Sequence, residues 1–263
     1  MTAEVAPGEV LLECTDLVRR FGGVAAVDGV GFGLRAGEVS ALIGPNGAGK
    51  TTVFNLLSGF LAVTSGSITW RGRDITSAKA TARAGSGLVR TFQQPRVFAA
   101  LTVHQNLVTA THAVVPSRVS ADLLGLPGAR RRARQRQGFA DELLDRFDLA
   151  VHAEVKAGDL PYGLRKRLGL VLGVAASPRV LLMDEPAAGL NDAEVELLKQ
   201  DLATIRGSGV TICIVEHHMG LIMSVSDRVM VMESGRMIAD GTPAEIANDE
   251  RVVAAYLGQG ATA

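Results

Sequence analysis

Gly44 to Thr52, GPNGAGKTT, follow the apolar run Ser40–Ile43 and precede VFNLLSGF. This is the strand, loop and helix setting of the pattern G-x-x-x-x-G-K-[ST], and it constrains the chain more than any other feature. Glycines at Gly44, Gly47 and Gly49 let successive backbone N–H groups turn inward around a phosphate, with Pro45, Asn46 and Ala48 between them. Lys50 supplies a point charge to the β- and γ-phosphates, the Thr51 hydroxyl is placed for Mg²⁺, and Thr52 follows it into the helix. The helix N-terminus adds partial positive charge. A Gly-rich turn that merely joins strand to helix does not require all the fixed positions at once. Gly31-Phe32-Gly33 and Gly85-Ser86-Gly87 complete no G-x-G-x-x-G pattern, and both read as turns.

A second apolar run, Val180 to Met183, ends in Asp184-Glu185-Pro186. Open α/β sheets bind ligands at the carboxyl ends of their strands, so two acids delivered there are placed for chemistry. Asp184 would hold Mg²⁺, directly or through water, and Glu185 would polarise an attacking water. Alone, a strand-terminal acid pair would more often cap the next helix. Downstream of a phosphate loop, the catalytic reading is the stronger one.

The rest of the chain is organised around these two sites. LLECTDLVRRF after Val10 alternates as a half-exposed strand and meets a Gly22-Gly23 turn. Further strands are expected at Val27–Leu34, Val39–Ile43, Ser67–Trp70, Val180–Met183, Val210–Val215 and Val229–Met232, with Val39–Ile43 central because it is almost wholly apolar. From about Leu101 to Arg167 the pattern turns helical, with Phe139, Leu143, Leu144 and Phe147 on one face. Strands alternating with helices imply a mainly parallel sheet. Residues 1–9 read as a loose leader and the last few residues, from about Gly258, as a tail.

Composition narrows the function classes. With 47% hydrophobic residues the 263-residue chain can bury a sizeable core. Its 27 Lys and Arg balance 27 Asp and Glu, which gives no support for a nucleic-acid partner. Arg130, Arg131, Arg132, Arg134 and Arg136 are the one basic cluster and read as a solvated helix face. Cys14 and Cys213 sit in strand-like surroundings and read as reduced core residues. His217 and His218, adjacent on an expected strand, would face opposite ways and find no third ligand, so a metal site there is rejected. The longest apolar run, Leu168 to Ala176, is about half of the ~20 residues that span a bilayer.

Taken together, GPNGAGKTT, LLMDEP, Thr91-Phe92-Gln93, PAAGLN and IVEHHM resemble the nucleotide-binding subunit of an ATP-binding cassette transporter, over nearly the whole of Val10–Gly258. The resemblance implies an α/β P-loop ATPase fold with a RecA-like core, an antiparallel β subdomain and a helical insertion at about 95–172, within one ATP-binding domain at 10–258. It implies that Phe21 stacks on adenine, Gln93 senses Mg²⁺ and the attacking water, and His217 contacts the γ-phosphate. A single phosphate loop means one ATP per chain, so a second ATPase subunit is implied, expected to be a related chain rather than a copy.

The chain departs from the family at Leu160-Pro161-Tyr162-Gly163-Leu164, which stands where LSGGQ is usual. Pro161 replaces the Ser whose hydroxyl meets the γ-phosphate held by the opposite subunit, and Leu164 replaces Gln. Backbone N–H groups of Tyr162 and Gly163, with the helix dipole, are left to complete the partner's site. RFGGVAAV, RTFQQPRVFAALTVHQNL, PAAGLN, VEHHM and AYLG resemble the branch that energises bacterial uptake of branched-chain amino acids, with relatives for urea and short amides. That likeness implies two membrane permeases, an extracytoplasmic solute-binding protein, and a place on the cytoplasmic face of the membrane. Pro95–Leu101 would border the groove that takes a short helix of the permease. The alternatives are a lipopolysaccharide-export ATPase, which usually keeps LSGGE, and a nucleotide-binding regulator with negligible hydrolysis.

Overall fold

The computed structural model describes residues 8–115 and 127–257. Its first sheet is antiparallel, in the order β2-β1-β4-β5, from β1 (Val10–Phe21), β2 (Val24–Arg35), β4 (Ser65–Trp70) and β5 (Arg73–Asp74). β1 and β2 form a hairpin closed by Gly22-Gly23, Phe21 facing Val24. One face buries Leu12, Leu17, Val27, Val30, Ile68 and Trp70. Gly31-Phe32-Gly33 is not a turn. It lies inside β2, with Phe32 buried opposite Cys14 and Gly33 opposite Glu13. The two glycines suggested a chain break, but β2 runs on through them, paired with β1 at Gly33 and irregular in register at Gly31.

The second sheet has the order β10-β9-β3-β8-β7-β6. Its strands are β3 (Val39–Ile43), β6 (Leu88–Thr91), β7 (Val180–Asp184), β8 (Thr211–Val215), β9 (Arg228–Glu233) and β10 (Arg236–Gly241). All are parallel except β10, which pairs antiparallel with β9 at one edge. Every residue of β3, β7 and β8 is buried, which is why these strands read as almost wholly apolar runs. Register sets the site. Leu42 and Asp184 both pair with Val215, and Thr91 pairs with Met183, so the carboxyl ends of four strands finish along one edge.

Helices cover this sheet. α1 (Lys50–Leu57) returns from β3, and α2 (Ala80–Gly85) leads into β6. Gly85-Ser86-Gly87 is a turn, being the end of α2 and its cap. Between β6 and β7 come α3 (Val103–Ala110), α4 (Pro127–Arg146) and α5 (Tyr162–Ala175), then α6 (Asp192–Gly207) after β7 and α7 (Met219–Val225) after β8. Two short helices, α8 (Pro243–Ala247) and α9 (Glu250–Leu257), follow β10. Val103, Leu107, Ala140, Leu143, Leu144 and Phe147 share a core with Leu168 and Val171 of α5. Asn106 is buried and bonds the backbone of Phe98, Leu101 and Thr102, fixing the entry to α3.

Three expectations need correction or placement. Arg136 is not on a solvated face: it is buried and donates to the Val115 carbonyl, whereas Arg130, Arg131 and Arg134 are exposed. Gly8 and Glu9, read as part of a loose leader, are bonded through their backbones to Ala36. Residues 1–7 and the tail from Gly258 lie outside the described residues. Among the described residues, no helix is long and apolar enough to cross a membrane.

Candidate functional site

The loop from Gly44 to Gly49 leaves the end of β3 and closes on the N-terminus of α1, with Gly49 at the cap position in the left-handed region. Two close approaches force glycine here. A Cβ at Gly44 (φ 149°) would drive into the Met232 carbonyl, and one at Gly49 (φ 99°) into the Ala26 carbonyl. The Ala48 carbonyl accepts from the Gly235 N–H and Val53 N–H donates to Gly49, so both the β9–β10 turn and α1 hold the loop from outside. Asn46 and Gly47 are exposed at the crest.

Lys50 is buried and folds back over this loop, its ammonium donating to the Gly44 carbonyl at 2.6 Å and to the Pro45 carbonyl at 2.9 Å. Burial lowers its pKa, while Glu185 and Asp184 act in the opposite direction. Its hydrogen bonds among the described residues go to these two loop carbonyls, and the two carboxylates favour its charge from further away. Thr51 is exposed and Thr52 half-buried on the first turn of α1.

Asp184, the last residue of β7, bonds to Arg90 on β6 at 2.6 Å, and both side chains are nearly inaccessible. Arg90 also donates to Asn55 at 2.7 Å and Ser58 at 3.2 Å on and after α1, and its guanidinium lies 5.4 Å from the Phe92 ring centre. Glu185 comes next, with φ 47°, a left-handed conformation uncommon for a residue with a side chain. That twist turns its carboxylate toward Gln93, whose side-chain amide donates to it at 2.6 Å. The structure therefore brings Gln93, Glu185, Asp184 and Lys50 to one edge of the sheet.

The segment after Glu185 is fastened by charges buried on either side. Lys166 of α5 donates to the carbonyls of Glu185, Pro186 and Ala188 at 2.9, 3.0 and 2.7 Å. Burial lowers the Lys166 pKa against the pull of Glu216 and Glu185. Glu216, following β8, accepts from the N–H groups of Ala187, His217 and His218. His217 and His218 are not on a strand: both lie in the link from β8 to α7. His217 is largely exposed, while His218 caps α7 by accepting from the Leu221 N–H at 3.0 Å, so its ring is occupied.

Phe21 sits at the hairpin tip of β1, about half exposed, with the Arg19 guanidinium 4.8 Å from its ring centre. The same hairpin carries Ala26 against Gly49. Pro161 is the cap residue of α5, and it offers no side-chain bond. Leu160 is buried, Leu164 packs against the core, and Tyr162 is exposed with its hydroxyl donating to the Ala188 carbonyl at 3.4 Å. Tyr162 and Gly163 open the helix, where N–H groups have no intrahelical acceptor. A mostly apolar cavity of about 420 Å³, lined by Phe92, Pro95, Arg96, Leu164, Leu190 and Leu197 among others, separates the end of β6 from α5 and α6.

Sequence reasoning passed over Arg90, Lys166 and Glu216. A charged residue inside or closing an otherwise apolar element, as in LVRT and TICIVE, is the signal that marks two of them.

The family model described as ABC transporter matches residues 27–188, and that described as Branched-chain amino acid ATP-binding cassette transporter matches 236–262. The chain is 42% identical over 250 residues to the high-affinity branched-chain amino acid transport ATP-binding protein LivG of Salmonella typhimurium, covering 95% of this chain and 98% of the relative. It is 41% identical to the corresponding protein BraF of Pseudomonas aeruginosa over the same shares. The crystal structure of the ADP conformation of MJ1267, an ATP-binding cassette of an ABC transporter, is similar with a TM-score of 0.80 and 27% identity, over 95% of this chain and 99% of that one.

Proposed function

The chain belongs to the ATP-binding cassette transporter family and is an ATPase subunit of it, and from that premise we propose that it drives bacterial uptake of branched-chain amino acids. The observation that carries the reading is the meeting of the Gly44–Thr52 loop and its buried Lys50 with the acid pair Asp184-Glu185, Glu185 bonded to Gln93. The C-terminal match at 236–262 and both named relatives favour branched-chain amino acids as cargo over lipopolysaccharide.

In this reading the triphosphate of ATP seats on the N–H groups of Gly44 to Thr52, and Lys50 exchanges the two loop carbonyls for the β- and γ-phosphates. Phe21 stacks on the adenine. Thr51, Asp184 and Gln93 offer only oxygen donors to a metal, and no group of three or more His, Cys, Asp or Glu residues that could hold one occurs among the described residues. So sparse a set suits Mg²⁺, which takes few protein oxygens and keeps water and phosphate in its shell. When bound, Mg²⁺ would neutralise phosphate charge. Glu185 orients the attacking water and accepts its proton, with Gln93 fixing the carboxylate, and the exposed His217 meets the γ-phosphate. Most of the acceleration then comes from positioning and charge.

The sheet core, antiparallel sheet and helical insertion at 95–172 act as one ATP-binding domain over 10–258. Two ATPase subunits, this one and a related partner, close around two ATP molecules at the cytoplasmic face of the membrane. Leu160 to Leu164 reach the partner's ATP through the open N–H groups of Tyr162 and Gly163, Pro161 having no hydroxyl to give. Two permeases receive the motion near Pro95–Leu101, and a solute-binding protein delivers cargo to them. No nucleic acid takes part.

The test is reconstitution with the permeases, the second ATPase and the solute-binding protein. Leucine uptake that depends on ATP and disappears in Glu185→Gln supports the proposal; ATP hydrolysis indifferent to every branched-chain amino acid overturns the cargo.

A further inference from the structure

Glu216 is 1% exposed, and among the described residues the hydrogen bonds to its carboxylate come from backbone N–H groups alone, with the His217 Nδ1 3.7 Å from its Oε2. Its Oε1 accepts from the Ala187 N–H at 2.7 Å, and its Oε2 from the N–H groups of His217 at 2.7 Å and His218 at 3.1 Å. One carboxylate thus bridges two backbone segments: the one that continues from Glu185, and the one that carries His217. We propose that Glu216 is a positioning residue for ATP hydrolysis, holding the Glu185–Ala188 segment and the His217 loop as a single body. The inference deepens the site described above and rests on the reading that Glu185 and His217 flank the γ-phosphate.

The surrounding contacts show why a carboxylate is required. Along 185–188 the N–H of Glu185 goes to the Val215 carbonyl and that of Ala187 to Glu216, while the carbonyls of Glu185, Pro186 and Ala188 go to Lys166. An anion collects donors on one side of the segment and a cation collects acceptors on the other. Three N–H groups converge on two oxygens, which only a carboxylate can supply. A glutamine of the same shape would keep one oxygen and aim its own N–H groups at the donors of the second segment. The left-handed φ of 47° at Glu185 also needs neighbours that over-determine it. Lys166 extends the body to α5, the helix opened by Tyr162 and Gly163, so a displacement of His217 by nucleotide is passed to the surface that meets the partner.

Glu216→Gln in the assembled complex tests this. The expected result is a fall in kcat of at least about 10-fold, with KM and the affinity for a fluorescent ATP analogue changed less than about 3-fold. An unchanged kcat, or a KM that moves with kcat, overturns the proposal. The wild-type complex gives a second reading that needs no variant. The amides of Ala187, His217 and His218 should exchange hydrogen with one common opening free energy and slow together when ATP and magnesium are added. Independent exchange of Ala187 and His217 overturns the proposal. A wild-type complex that binds no ATP overturns the site reading instead, and the exchange linkage without nucleotide still decides the bridge.

Discussion

The side-chain amide of Gln93, just past β6, donates to the carboxylate of Glu185, just past β7, at 2.6 Å. In the proposed reading, this contact joins the segment that senses nucleotide to the residue that orients water. Gln93→Ala should lower kcat for ATP by about 10-fold with little change in KM, the size of a lost hydrogen bond to a charge. Glu185→Gln should lower it by about 10²–10⁴-fold, as removal of a general base does. Steady-state phosphate release by the assembled complex checks both.

Arg90 and Asp184 form a nearly inaccessible ion pair. Arg90→Met leaves the carboxylate buried without its partner, and stability should fall by about 3–5 kcal/mol. Adding Asp184→Asn should recover part of that loss, because a neutral amide costs less to bury than a bare charge. Urea unfolding midpoints of the two variants and wild type measure it.

Gly44→Ala should both destabilise the chain and abolish nucleotide binding. The new methyl would strike the Met232 carbonyl, and φ 149° is unfavourable for any side chain. A loss of at least about 3 kcal/mol is expected from thermal unfolding.

Cys14 and Cys213 are free and buried. Burial pushes the Cys14 thiol up to about 12 and raises that of Cys213 as well. Thiolate is the reactive form, so neither should react with a disulfide reagent in the native protein at pH 8, and both should react in denaturant. Stoichiometric labelling under native conditions would contradict this.

Much of the architecture was legible because it depends on local pattern. Strands buried on both faces, such as Val180–Asp184, leave apolar runs, and the phosphate loop leaves glycines where φ and close approach demand them. Arg136 misled because the basic run hides its helical period: it falls on the same buried face as Ala129, Ala140 and Leu143. Gly31 and Gly33 misled because glycine marks breaks more often than pairings. What Lys166 and Glu216 hold was not legible, for another reason. Their partners are backbone atoms 19 to 22 residues away for Lys166 and, on one side, 29 for Glu216, and no spacing rule reaches across strands to them.

The most direct measurement of the central claim is equilibrium binding of ATP with magnesium to the wild-type chain and to Lys50→Ala. The account predicts saturable binding by wild type and a loss of about 10–100-fold in affinity in the variant, the worth of a buried charge on phosphate. Equal affinity in the two proteins, or no binding by wild type in its complex, would contradict it.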